Sequence, residues 1–172
     1  MPHQPPYHAF SDTLYTSLCQ IAEVALNSNH RTNALLQPAE LVHECFLKLL
    51  SSETAAPADP VEFRALAATM IRQALVDHVR RERTLKRGDD WAQVALEDEE
   101  LGLSERLQFD VLVLDEALVQ LAAINARQAR IVELRFFSGL SIIEVAQAID
   151  IAPRTVNADW KVARTWLRRA LT

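Results

Sequence analysis

The residues best suited to chemistry lie near the carboxyl end: Arg154, Thr155, Asn157, Ala158, Lys161 and Arg164. They point away from an apolar stripe of Val156, Trp160 and Ala163, so a helix there carries a polar, basic outer face. Arginine and asparagine make paired hydrogen bonds to base edges in the DNA major groove, each contributing about 1–3 kcal/mol of discrimination between bases. A second basic block stands upstream, with Arg72, Arg80, Arg81, Arg83, Lys86 and Arg87 against Asp77 and Glu82. A basic helix end suits the helix dipole without any partner. Six cations in this span exceed that need, and contact with nucleic-acid phosphates accounts for them better.

Periodicity indicates the elements that must position the first set. Ile142, Val145, Ala146 and Ile149 are apolar at helix spacing, and a second helix starts at Pro153, a residue favoured in a first helical turn. Ile149-Asp150-Ile151 makes a short turn between them. Small Ala146 permits close approach, giving a helix-turn-helix whose second helix enters a major groove. Asp150 stands where glycine is common; aspartate tolerates a left-handed backbone better than most residues. A solvated charged face on an ordinary surface helix is the competing explanation of this segment.

The chain has 172 residues, 49% of them apolar and 24% charged, with three glycines. That composition, poor in strand punctuation, predicts an all-α protein. The net charge of −5 argues against a nucleic-acid partner only until its distribution is considered. The two basic blocks flank an acidic run of Asp89, Asp90, Glu97, Asp98, Glu99, Glu100 and Glu105, so each block can still meet DNA. Cys19 and Cys45 lack metal-ligand spacing and read as small buried apolar residues. There is no glycine-rich phosphate loop and no HExxH; Leu47 stands where a second ligand would follow His43-Glu44. No enzyme activity, cofactor or metal is therefore expected. The absence of a signal peptide or a membrane-length apolar run predicts a cytoplasmic protein with no membrane partner.

In chain order, a helical pattern runs from Phe10 towards Leu26, and another starts at Pro38 and follows Leu41, Val42, Cys45, Phe46 and Leu49. Residues 51–60 form a loop by composition. Asp59-Pro60 opens a third helix with an apolar series from Phe63 through Ile71 and Ala74 to Val79. Gly88 to Gln108 reads as a linker, Phe109 to Ala123 as a helix, and Asn125 as the cap of the next. Two small helical domains result, at 1–88 and 110–172, joined by an acidic linker at 89–109.

ELVHECFLKLL (Glu40–Leu50) with FRALAATMIRQALVDHVRRERTLKRG (Phe63–Gly88) resembles domain two of extracytoplasmic-function (ECF) sigma factors of bacterial RNA polymerase. The segment Val113–Leu171 resembles their domain four. The likeness implies that domain two, 1–88, binds the β′ clamp of core RNA polymerase and melts the minus-ten promoter element. Domain four, 110–172, reads the minus-thirty-five element as duplex and touches the β flap. Arg72, Gln73, Asp77 and His78 would lie near the non-template strand, and Arg80, Arg81 and Arg83 near phosphates. His78 has an equally good reading as a cover for the apolar stripe.

The sequence departs from the family where the second helix usually opens with Asp-Ala-Glu-Asp. Here the matching residues are Gln37, Pro38, Ala39 and Glu40, so the polymerase contact rests on Glu40 and on Glu44 one turn later. This loss of carboxylates resembles a group of sigma factors controlled by serine/threonine kinases. It implies a kinase as a further partner and added negative charge at Thr54, then Ser51 and Ser52, as the switch. Two rival functions remain at this level. One is an autonomous helix-turn-helix regulator that binds paired half-sites without polymerase. The other is an interaction module that occupies a polymerase surface without initiating.

Overall fold

The computed structural model describes residues 12–27, 37–51, 57, 59–85, 93–98 and 103–171. Its helices are α1 (Asp12–Asn27), α2 (Pro38–Ser51), α3 (Pro60–Leu85), α4 (Val111–Ile124), α5 (Ala126–Ser138), α6 (Ile142–Ala148) and α7 (Pro153–Ala170); the strands β1 (Gln93–Asp98) and β2 (Leu103–Asp110) lie between α3 and α4. The architecture is helical, as the composition predicts.

Helix ends fall where local chemistry puts them. The Asp59 carboxylate accepts from the backbone N–H groups of Val61 (2.9 Å) and Glu62 (3.0 Å), and Pro60 follows it. Asn125 caps α5 by accepting from the Gln128 N–H at 3.1 Å. An N-cap of this kind contributes about 1 kcal/mol. Helix α5 ends at Gly139, whose φ of 62° lets its N–H turn back to the Leu134 carbonyl.

Helix α5 is the centre of the molecule. It packs against α1, α3, α4, α6 and α7, and Ile131, Val132, Leu134 and Phe137 are fully buried along it. With partners on several sides, a helix of this kind cannot keep one polar face.

Helix α3 is buried on two sides. Phe63, Ala67, Met70, Ile71 and Ala74 form one apolar stripe. Ala65, Ala68, Val76 and Val79 form a second, roughly opposite at 3.6 residues per turn. The helix packs on α1 and α2 and also on α4, α5 and α6. The two halves, expected as separate domains, thus share a continuous core. The second stripe is present in the sequence, but its small alanines carry a weak hydrophobic signal.

The stretch read as a linker departs from expectation. β1 and β2 pair antiparallel, with Gln93 opposite Asp110, Val94 opposite Phe109 and Leu96 opposite Leu107, and an irregularity between Leu96 and Asp98. The helix predicted from Phe109 therefore begins at Val111, because Phe109 and Asp110 belong to the ladder. Pairing satisfies backbone donors and acceptors that a linker would leave to water. The acidic composition of this stretch masked that tendency.

Candidate nucleic-acid interface

The helix-turn-helix is held by its own backbone chemistry. Ser141 and Glu144 form a reciprocal capping box at the start of α6: the Ser141 hydroxyl accepts from the Glu144 N–H at 3.2 Å, and the Glu144 carboxylate accepts from the Ser141 N–H at 2.8 Å. Asp150 takes a left-handed conformation, φ 52°, as its place in the turn predicts. The Ile151 N–H then reaches back to the Ala146 carbonyl at 3.0 Å. Pro153 opens α7, whose cap residue Ala152 provides no side-chain hydrogen bond.

Burial of the α7 stripe fixes which side faces outward. Val156, Trp160, Ala163 and Leu167 are fully buried. The Trp160 ring stands edge-on to Phe136 at 6.3 Å, and the Arg135 guanidinium lies 5.2 Å from its centroid. Arg154, Ala158, Lys161 and Thr165 are exposed on the opposite side, with Arg169 beside them; Thr155 and Asn157 are half-buried at its margins. Thr165 and Arg169 were not anticipated, although the spacing 154, 158, 161, 165 carries the signal.

Arg164 corrects the sequence expectation. It retains only 9% exposure, because a residue four positions after Trp160 sits about 40° from it around the helix. It flanks the buried stripe rather than opposing it. Asp159 is buried at the other flank, where it accepts from Arg127 Nε (2.6 Å) and Gln128 Nε2 (3.3 Å). This hydrogen bond and charge raise the Arg127 pKa. The bridge ties the start of α5 to α7 and removes a carboxylate from the outer face.

On α3 the picture is different, because most of the cations already have partners. Arg72 is half-buried; its Nε donates to Asp115 at 2.8 Å and its Nη1 to Glu133 at 3.1 Å. Arg80 is exposed, 3.7 Å from the second Asp115 oxygen. Arg81 pairs with Glu44 at 2.5 Å, and Asp77 with Lys48 at 3.2 Å. Gln73 is exposed and Arg83 half-buried. His78 is half-buried with Nε2 shielded from solvent, in keeping with its reading as a cover. Lys86 and Arg87 lie outside the described residues.

The expected polymerase contacts are also engaged within the chain. Glu40 is exposed and accepts from the Gln37 N–H at 3.0 Å, while Glu44 holds Arg81. Ser51 is exposed at the last position of α2, and its hydroxyl donates to the Lys48 carbonyl at 2.9 Å. Ser52 and Thr54 lie outside the described residues.

Sequence reasoning missed a polar network between α3 and the second half. Arg130 donates to the Ala65 carbonyl (3.0 Å) and the Thr69 hydroxyl (2.7 Å), and also pairs with Glu133. Arg64 donates to Glu144 at 2.6 Å and to the Ser138 carbonyl at 3.1 Å. Burial pushes the Glu144 pKa up, but the Ser141 N–H and the Arg64 charge outweigh it, and the net shift is downward. No local periodicity announces the pairs that reach across from α3, whose members stand 61 to 80 residues apart.

Among the described residues, no group of three His, Cys, Asp or Glu side chains is placed to hold a metal ion, and no helix is long and apolar enough to cross a membrane. Comparison with curated proteins and with solved structures gave no match. A family model for ECF sigma factors matches residues 8–172. With its helix-turn-helix in place and the match spanning nearly its whole length, the chain belongs to the ECF sigma factor family, the alternative sigma factors that direct RNA polymerase to promoters.

Proposed function

We propose that α7 reads the minus-thirty-five element as duplex while α3 meets the opened minus-ten strand. The observation that carries this is the exposed stripe of Arg154, Ala158, Lys161 and Thr165 on a helix seated through Trp160 in the core. A helix anchored on one side and basic on the other can enter a major groove without rearranging. On α3, Gln73, Asp77 and Arg80 occupy the exposed side. Arg72, Arg81 and Arg83 join them once their internal partners are exchanged for DNA. Chemistry on the promoter belongs to the polymerase; the chain itself is non-enzymatic and acts in the cytoplasm.

Glu40 and Glu44 are the carboxylates for the β′ clamp, with the β flap meeting domain four. Both carboxylates already accept hydrogen bonds within the chain, which supports an intrinsically weak clamp contact. Negative charge added by a serine/threonine kinase at or just past the end of α2 would strengthen it. Thr54 remains the preferred site, followed by Ser51 and Ser52. A phosphate on Ser51 would meet the negative end of the α2 dipole and displace its bond to the Lys48 carbonyl.

Run-off transcription with reconstituted core polymerase, on templates selected from a random promoter pool, tests the proposal. Transcripts that require both chain and core support it. Tight, symmetric duplex binding by the free chain without transcription would favour an autonomous regulator. Polymerase binding without transcripts would favour a blocker. Pull-down of core polymerase by wild type and Thr54→Ala, each with and without kinase, tests the switch; equal capture in all four samples removes it.

A further inference from the structure

The second stripe of α3 and the carboxylates facing it make a contact that promoter opening has to break. Arg72 lies on that stripe, and all three of its guanidinium nitrogens donate: Nε to Asp115 at 2.8 Å, Nη1 to Glu133 at 3.1 Å and Nη2 to the Asp115 carbonyl at 3.3 Å. Asp115 also faces Arg80 at 3.7 Å. Glu133 is 8% exposed and accepts from Arg130 and from the Thr69 hydroxyl as well as from Arg72. Two carboxylates thus hold the arginine as DNA phosphates would, in planar, charge-assisted geometry. A single-stranded segment cannot reach Arg72 while α4 and α5 cover it.

We propose that Asp115 and Glu133 form an autoinhibitory clasp, standing in for DNA on α3 and holding the free sigma factor closed. This rests on the assignment of α3 to the opened promoter strand. The interface suits a reversible contact because it includes ion pairs, which a competing polyanion or an acidic polymerase surface can take over one for one. Apparent DNA affinity of the free chain is then its intrinsic affinity reduced by the fraction open. Core polymerase, by binding the open form, would release the clasp.

The test compares the full chain with Asp115→Asn and, as the control, Glu116→Gln. Glu116 is the exposed neighbour of Asp115 on α4, so the control makes the same change in net charge outside the clasp. Binding of a fluorescein-labelled, mixed-sequence single-stranded oligonucleotide and the radius of gyration by solution scattering are read for each, with circular dichroism to verify folding. A closed chain of this length has a radius of about 16 Å. Asp115→Asn is expected to bind the oligonucleotide about tenfold more tightly and to raise the radius, with Glu116→Gln like the wild type on both counts.

Glu144→Gln provides a second route should Asp115→Asn fail to fold. Its amide still caps α6, but the charge opposite Arg64 is lost, and a two- to threefold rise in oligonucleotide affinity is expected, roughly the effect of a partly exposed ion pair. Equal shifts for Asp115→Asn and Glu116→Gln, or no shift from either Asp115→Asn or Glu144→Gln, whose pair with Arg64 closes the same face of α3, overturn the clasp. Transcription with core polymerase separates the two levels. Transcripts without the affinity and radius shifts sink the clasp alone, whereas the shifts without transcripts from any variant sink the promoter assignment, and with it the clasp's role in promoter opening, and leave only a closed contact that excludes single strands.

Discussion

Arg154 and Arg164 sit ten positions apart on one helix, and their replacement by alanine should have opposite consequences. Arg154 is exposed in the first turn of α7, where recognition helices contact base edges. Its removal takes away no packing, so the unfolding free energy should stay within about 0.5 kcal/mol of wild type. Binding of the polymerase-loaded sigma factor to minus-thirty-five duplex should weaken by about 1–3 kcal/mol, roughly fivefold to 150-fold. Arg164, 9% exposed, packs its stem beside the Trp160 stripe. Arg164→Ala loses that packing and leaves buried polar groups to reorganise, a destabilisation of about 1–3 kcal/mol. Once corrected for the folded fraction, its duplex affinity should be unchanged. Urea unfolding followed by circular dichroism gives one axis and fluorescence anisotropy on a promoter duplex the other. If Arg164→Ala keeps full stability but loses DNA binding, the phase assigned to α7 is wrong, and with it the whole outward stripe.

Other outcomes follow from single sites. Asp150→Gly should leave unfolding free energy within about 0.5 kcal/mol or raise it, whereas Asp150→Val should lower it by about 1–2 kcal/mol, since φ there is 52°; chemical denaturation separates the two. Burial raises the Cys45 thiol to about 12, so in native protein at pH 8 a thiol reagent should modify Cys19 and spare Cys45 until denaturant is added. Because the folded Glu144 pKa is depressed below its ordinary 4.5, its contribution to stability is complete above that value and is lost as pH falls through the folded one. The stability difference between wild type and Glu144→Gln should therefore shrink on acidification below about pH 4.5, measured by denaturation across a pH series.

Local chemistry made much of this molecule legible in sequence. Asp59-Pro60, Pro38, Asn125 and Pro153 mark helix starts through hydrogen bonds and ring geometry confined to a few neighbours, and those starts hold. The Val156, Trp160, Ala163 stripe and the left-handed Asp150 are equally local. Residue type alone placed Arg164 with the outward set, although four positions from Trp160 is only about 40° around the helix. Tertiary structure alone decided the fate of the charges. Whether Arg72 faces water, DNA or Asp115 and Glu133 depends on which helix arrives from 43 and 61 residues away, and charge patterning carries no information about distant partners. The hairpin at 93–98 and 103–110 was hidden for a related reason: backbone pairing is set by which segment lies alongside, and an acidic composition does not reveal it. Sequence thus determined where α2, α3, α5 and α7 begin and the main stripe that α7 buries, because those are short-range matters of sterics and capping. The fold decided which arginines remain available to a polyanion, because an ion pair forms only when packing brings its two members together.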